Sequence, residues 1–165
     1  MPDTPVPTQR PALSIVVPAY NEQGNLFKLC AELAKVLSTL DLAWEILFVD
    51  DGSTDDTWKD IESLHKDDPR MHGIRLSRNF GHQNALIAGL SYASGRAVIS
   101  MDADLQHPPE VIPLLVDEWR KGSKIVKTVR RDPENLSAFK RGTSRLYYRL
   151  FSYLSGVEIQ SGMAD

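Results

Sequence analysis

The chain has 165 residues, 42% of them hydrophobic and 25% charged, with a formal net charge of −3; these are the proportions of an ordinary globular chain, and one compact domain is the starting expectation. A single cysteine excludes an internal disulfide, no Cys/His cluster has zinc spacing, and no stretch approaches the ~20 apolar residues of a bilayer-spanning helix. The charge is unevenly spread: residues 120–150 carry ten Lys/Arg against two acids, and the remainder nine bases against twenty acids.

Residues 1–12 hold four prolines and no apolar block, so they read as a flexible tail rather than a signal peptide; the expected compartment is the cytoplasm. LSIVV (13–17) is the first strand. Apolar positions at Leu26, Leu29, Leu33, Val36, Leu37 and Leu40 then follow helical spacing, with Cys30 as a buried small apolar group among them. WEILFV (44–49) is the second strand. DDGSTDDT (50–57) supplies turn and cap residues, with Ser53 or Asp55 the expected cap of a helix running to about His65. MHGIRL (71–76) reads as a third strand, GHQNALIAGLSYASG (81–95) as a helix closed by Gly95, and RAVISM (96–101) as a fourth strand. PEVIPLLVDEWRKG (109–122) is a helix opened by proline and stopped by glycine, and KIVKTV (124–129) a fifth strand.

Strands alternating with helices predict an α/β fold with a mostly parallel sheet covered by helices on both faces. Polar residues sit just after strands: Asn21 and Glu22, Asp50 and Asp51, Asp102 and Asp104. In open α/β sheets that rim is where ligands bind. Carboxylates gathered there repel one another unless a cation or hydrogen-bond donors compensate. The D-x-D pair Asp102/Asp104, with the Gln106 carbonyl, can offer oxygen ligands to a hard divalent metal that also takes diphosphate oxygens; alternatively one aspartate caps the helix after Pro108. Asp50 and Asp51 can accept bonds from a base N–H or ribose hydroxyls, although turn chemistry alone also calls for such residues. Glu22 can bond a ribose or serve as a first-turn helix acid. The chain has neither a G-x-x-x-x-G-K-[ST] phosphate loop nor a G-x-G-x-x-G dinucleotide turn. His82 and His107 read as structural or loop contacts.

VVPAYNE, VDDGSTD, RNFGHQNALIAG and DADLQHPPE, in this order and spacing, resemble the blocks of family 2 glycosyltransferases over about residues 13–165. Within that family the motifs are similar to the branch of dolichol-phosphate mannose synthases and bacterial polyprenyl-phosphate glycosyltransferases. The resemblance implies a Rossmann-like, GT-A type nucleotide-sugar-binding fold over 13–132 and a basic acceptor or membrane-interface segment over 133–165, with the family's C-terminal part absent. It implies that Pro18, Tyr20, Glu22, Asp50, Asp51 and Asp102 line the nucleotide pocket. Asp102, Asp104 and Gln106 would hold Mg²⁺ or Mn²⁺ on the donor diphosphate. Arg130, Arg141, Ser144 and Arg145 would meet the acceptor phosphate. Asp102, Asp104 and Asp165 would be the catalytic carboxylates. The implied reaction is an inverting, metal-dependent transfer of a hexose from UDP-glucose or GDP-mannose type donors to a polyprenyl phosphate, at the cytoplasmic face of the membrane. A phosphate acceptor is already ionised near neutral pH, so no activated nucleophile is required of the protein. A transferase acting on a glycan acceptor, and a nucleotide-sugar-binding module without turnover, stand as alternatives. The few aromatics and the acidic body argue against nucleic-acid binding.

Taken as a helix, residues 139–154 put Phe139, Leu146, Tyr147, Leu150 and Leu154 on one side and Arg141, Arg145 and Arg149 opposite. That pattern fits a membrane interface, or packing against the domain, equally well.

Overall fold

The computed structural model describes residues 10–106 and 108–128. Expectations that fall on His107, Arg130, Arg141, Ser144, Arg145, Asp165 and the 139–154 helix lie outside the described residues. The chain divides into two units, Met1–Ser123 and Lys124–Asp165, and the first carries the architecture.

In chain order the elements are β1 (Leu13–Ala19), α1 (Asn25–Leu37), β2 (Trp44–Asp50), α2 (Thr57–Asp67), β3 (Met71–Arg75), α3 (His82–Tyr92), β4 (Ala97–Ser100), a 3₁₀ turn (Pro109–Val111) and α4 (Ile112–Arg120). The four strands form one sheet in the order β3-β2-β1-β4, and every pairing is parallel. The expected α/β architecture is therefore present.

Side-chain alternation sorts the strands between two layers. Leu13, Ile15, Val17 and Ala19 of β1 and Trp44, Ile46 and Phe48 of β2 join Leu26, Leu29, Cys30, Leu33 and Leu37 of α1, Ile61 and Leu64 of α2, and Ile112 and Val116 of α4. On the opposite face Val16 and Val49 meet Ala85 of α3. Helices thus cover both faces. The α1 leucines at 26, 29 and 33 are fully buried, worth roughly 1.5–3 kcal/mol each in transfer free energy. Cys30 is buried as expected, and burial pushes its thiol up to about 12. Gly89 lets α3 lie close on the sheet: a Cβ there would stand 2.3 Å from Val16 Cγ1 and 3.0 Å from Val49 Cγ2.

Three local departures have physical causes. The helix expected over 109–122 begins in earnest at Ile112, because Pro113 has no N–H to donate and its ring opposes the carbonyl four residues back. The helix expected to run to Gly95 ends at Tyr92, since the Ser94 N–H turns out to donate to Glu45 Oε1 at 2.8 Å. The fifth strand is corrected: residues 124–128 form no ladder, with Ile125 90% exposed. β-branched composition signals strand propensity, but a strand exists only where its backbone groups find a partner.

Among the described residues no helix is long and apolar enough to cross a membrane.

Candidate functional site

The four strands among the described residues point their C-terminal ends the same way, so the connections 20–24, 51–56 and 76–81 and residues 101–106 emerge along one rim. There they enclose a cleft of about 290 Å³ lined by Pro18, Ala19, Tyr20, Glu22, Asp51, Asn79, Gly81, His82, Asp102, Ala103 and Asp104.

The second connection is built around glycine and aspartate. Gly52 has φ +69°, and a Cβ on it would stand 2.3 Å from the Arg78 carbonyl carbon. Only glycine lets these two loops touch. Asp51 is 3% exposed. Its Oδ1 accepts the Phe80 N–H at 2.8 Å and its Oδ2 the Gly81 N–H at 2.9 Å. The carboxylate therefore holds the third connection against the second and sets the start of α3. Asp50 has a different place. It is fully buried, off the cleft wall, with Oδ1 accepting the Ser53 N–H at 2.8 Å. Its Oδ2 has no hydrogen-bond partner among the described residues, and Arg75 Nε lies 3.4 Å away. An unpaired buried carboxylate oxygen is costly, and the nearby guanidinium offsets part of that cost.

The cap of α2 is Asp56, without a side-chain cap bond. Asp55, one residue earlier, does the bonding instead: its Oδ1 accepts the Thr57 N–H at 3.0 Å and its Oδ2 the Gln23 N–H at 3.2 Å. Burial raises the Asp55 carboxyl, but the Thr57 hydroxyl, which also donates to Oδ1, and these amides outweigh it and leave it below the usual range. Ser53, the other expected cap, spends its hydroxyl on the Asn21 N–H at 3.0 Å.

Asp102 and Asp104 flank the buried Ala103 and both reach the cleft. The Asp102 side chain is 43% exposed, with His82 Nε2 3.6 Å from its Oδ1. Asp104 is exposed, and its Oδ1 accepts the Gln106 N–H at 3.0 Å. This turn needs Leu105 at φ +61°. Among the described residues no three His, Cys, Asp or Glu side chains gather into a complete metal cage. Two accessible carboxylates in a cleft are nevertheless the usual protein share of a Mg²⁺ or Mn²⁺ site, the rest being waters and substrate phosphate oxygens. The residues fit such an ion.

Of the sequence-predicted residues, Pro18, Tyr20, Glu22, Asp51, Asp102 and Asp104 come together on the cleft, whereas Asp50 and Gln106 do not line it. Sequence reasoning did not name Asn79 or Gly81 and read His82 as a structural or loop contact; all three line the cleft. Their signal was position: they follow β3 at the same rim as the other connections.

Comparison with known proteins decides the family. The model described as glycosyl transferase family 2 matches residues 14–162. The chain belongs to glycosyltransferase family 2. An uncharacterized glycosyltransferase of Synechocystis sp. is 42% identical over 93% of this chain and 48% of its own length. The undecaprenyl-phosphate 4-deoxy-4-formamido-L-arabinose transferase of Klebsiella pneumoniae is 37% identical over 87% of this chain and 44% of its own. The bactoprenol glucosyl transferase of Shigella phage SfV is 37% identical over 93% and 50%. The last two names belong to the polyprenyl-phosphate branch of the family. The chain spans about half the length of these curated relatives. Among solved structures, the glucosyl-3-phosphoglycerate synthase of Mycobacterium tuberculosis with UDP superposes with TM-score 0.60 at 24% identity, over 88% of this chain and 51% of that one. The mannosyltransferase of Pyrobaculum calidifontis with GDP-Man and Mn²⁺ gives 0.58 at 24%, over 80% and 39%. At that identity the likeness is one of fold, and the family 2 domain has the GT-A type fold expected of it.

Proposed function

We infer that this domain binds a nucleotide-sugar donor in the rim cleft, with Mg²⁺ or Mn²⁺, and delivers its hexose to a polyprenyl phosphate with inversion at C1. One observation carries the reading: Tyr20, Glu22, Asp51, Asp102 and Asp104, from three separate connections, line a single cleft in a family 2 glycosyltransferase domain. The names of the relatives support the acceptor class.

Tyr20, Pro18 and Glu22 form the wall suited to base and ribose, the first by its ring and the last by its carboxylate. Asp51 is mostly committed to the loop that leads into His82, so it shapes the cleft as well as facing it. Asp102 and Asp104 would hold the divalent ion with oxygen ligands. When bound, such an ion supplies charge stabilisation for a departing nucleoside diphosphate. The protein's own part is to bind the donor and fix its orientation, with both carboxylates presented to the one cleft. Arg130, Arg141, Ser144 and Arg145 are proposed for the acceptor phosphate, where guanidinium groups can bond bidentately, and Asp165 as the carboxylate nearest it. The basic 139–154 segment is proposed to meet a membrane surface on the cytoplasmic side.

Thermal unfolding with a panel of nucleotide sugars tests the donor half. One of UDP-glucose or GDP-mannose should raise the midpoint with Mn²⁺ and not with EDTA, the rise reflecting a stabilisation of ~2.7 kcal/mol at a hundred times Kd. No stabilisation by any member would overturn the reading. Label appearing in undecaprenyl phosphate, given the stabilising donor, tests the acceptor half; label passing only to soluble glycan would reassign the acceptor.

A further inference from the structure

The wall formed by Tyr20 and Glu22 has one backbone bond of its own, the Asn25 N–H donating to the Glu22 carbonyl at 3.0 Å. It follows β1, and four consecutive amides, from residue 21 to residue 24, turn away from the sheet. Each is taken by a side chain from a segment more than thirty residues later. The Asn21 N–H donates to Ser53 Oγ at 3.0 Å, Glu22 N–H to Thr57 Oγ1 at 2.8 Å, Gln23 N–H to Asp55 Oδ2 at 3.2 Å and Gly24 N–H to Asp60 Oδ2 at 2.7 Å. Ser53 and Thr57 are themselves buried, so their hydroxyls are fixed acceptors rather than solvated ones.

Among the described residues, the Asn21 side chain answers in the other direction. Asn21 Oδ1 accepts the Thr54 N–H at 2.9 Å and the Thr54 hydroxyl at 3.2 Å. Asn21 sits at φ +56°, in the left-handed region that asparagine tolerates better than most residues. That conformation turns the chain so that its two neighbours, Tyr20 and Glu22, both reach the cleft while Asn21 does not line it. Tyr20 is 44% exposed, so little packing holds it. Glu22 accepts the Asn25 Nδ2–H at 2.8 Å, a bond to the first residue of α1 that ties its carboxylate to the helix but not to the loop after β2.

We propose that Asn21 is the positioning residue of the donor wall: through Thr54 and Ser53 it registers the loop after β1 on the loop after β2, and so fixes where Tyr20 and Glu22 meet the nucleoside. The inference rests on the donor-binding reading above. Asn21 touches no donor atom itself; it acts through its neighbours.

Titration calorimetry with UDP and GDP in the presence of Mn²⁺, well below the unfolding midpoint, tests it. Asn21→Gly keeps the left-handed backbone and removes the acceptor; it should weaken binding of whichever nucleotide the wild type takes by about tenfold, the loss of ~1.4 kcal/mol. Asn21→Asp keeps an acceptor oxygen and the backbone tolerance, and should stay within about threefold. Ser53→Ala removes the acceptor of the Asn21 amide and should weaken binding in the same direction, which keeps the test intact if Asn21→Gly does not fold. A readout that a merely structural role would not move is the double variant. Tyr20→Ala should lower affinity in the wild type and add little in the Asn21→Gly background, since a misplaced ring has little left to lose. Unchanged affinity in Asn21→Gly and Ser53→Ala, or a full additive loss for Tyr20→Ala, overturns the proposal while leaving donor binding standing. A wild type that binds neither nucleotide overturns the donor-binding reading itself.

Discussion

Asp51 offers the most direct test of how the cleft is assembled. Its carboxylate is nearly inaccessible and accepts two backbone amides from the connection after β3. In Asp51→Ala the Phe80 N–H loses its partner, whereas the Gly81 N–H retains Asn79 Oδ1 at 3.0 Å. A hydrogen bond to a charged acceptor contributes about 1.5–3 kcal/mol. One such bond lost outright and a second partly replaced add to about 2–4 kcal/mol. Asp51→Asn keeps one acceptor oxygen and should cost about half as much, because its amide then meets the Gly81 N–H donor to donor. Equilibrium urea unfolding measures both: the midpoints should fall in the order wild type, Asn, Ala, with an unchanged slope. A midpoint for Asp51→Ala within error of the wild type would refute the reasoning, for it would mean the loop carrying Gly81 and His82 is held by something else.

Other expectations follow from the same packing. Gly89→Ala places a methyl 2.3 Å from Val16 Cγ1; overpacking costs about 1–3 kcal/mol and exceeds the ~1 kcal/mol that alanine contributes in a helix. The urea midpoint should therefore drop, and Val16→Ala should reduce the penalty; a raised midpoint contradicts the close approach of α3. At the N-terminal end of β2, burial raises the Glu45 carboxyl, but bonds from Ser14 and Ser94 and the nearby His72 outweigh it and leave it net below the ordinary value. Its contribution to stability is thus present above the unfolded carboxylate pKa and lost as pH falls through the lower folded value. Glu45→Gln should flatten that acid-side decline in a pH series of unfolding midpoints, and an unaltered slope would remove the role.

How much of this was legible beforehand depends on the range of the interaction. The β1 and β2 runs, the α1 leucines and the acids after each strand are local patterns, and periodicity exposes them. Hence Glu22, Asp51, Asp102 and Asp104 were named from their places after the strands and Tyr20 from the family resemblance, and they meet in one cleft. What binds the rim together is different in kind. Asp51 reaching Phe80, and Ser53, Asp55, Thr57 and Asp60 reaching the amides of residues 21–24, are side-chain-to-backbone bonds across about thirty residues. Such bonds leave no periodic trace, and Asp, Ser and Thr in a turn read equally well as local caps. The same ambiguity made Asp50 and Asp51 look alike, although one is sealed beneath the turn and the other faces the cleft. The 124–129 run misled for the converse reason: its composition is strand-like, but residues 124–128 have no ladder.

The central claim is that the aspartates after β4 tie a divalent ion to a donor diphosphate. Calorimetry of nucleoside diphosphate binding with Mn²⁺, comparing wild type, Asp104→Asn and Asp102→Asn, measures it directly. The account predicts binding by the wild type that disappears in EDTA and in either variant; equal affinity in all three proteins, or binding indifferent to the ion, would contradict it.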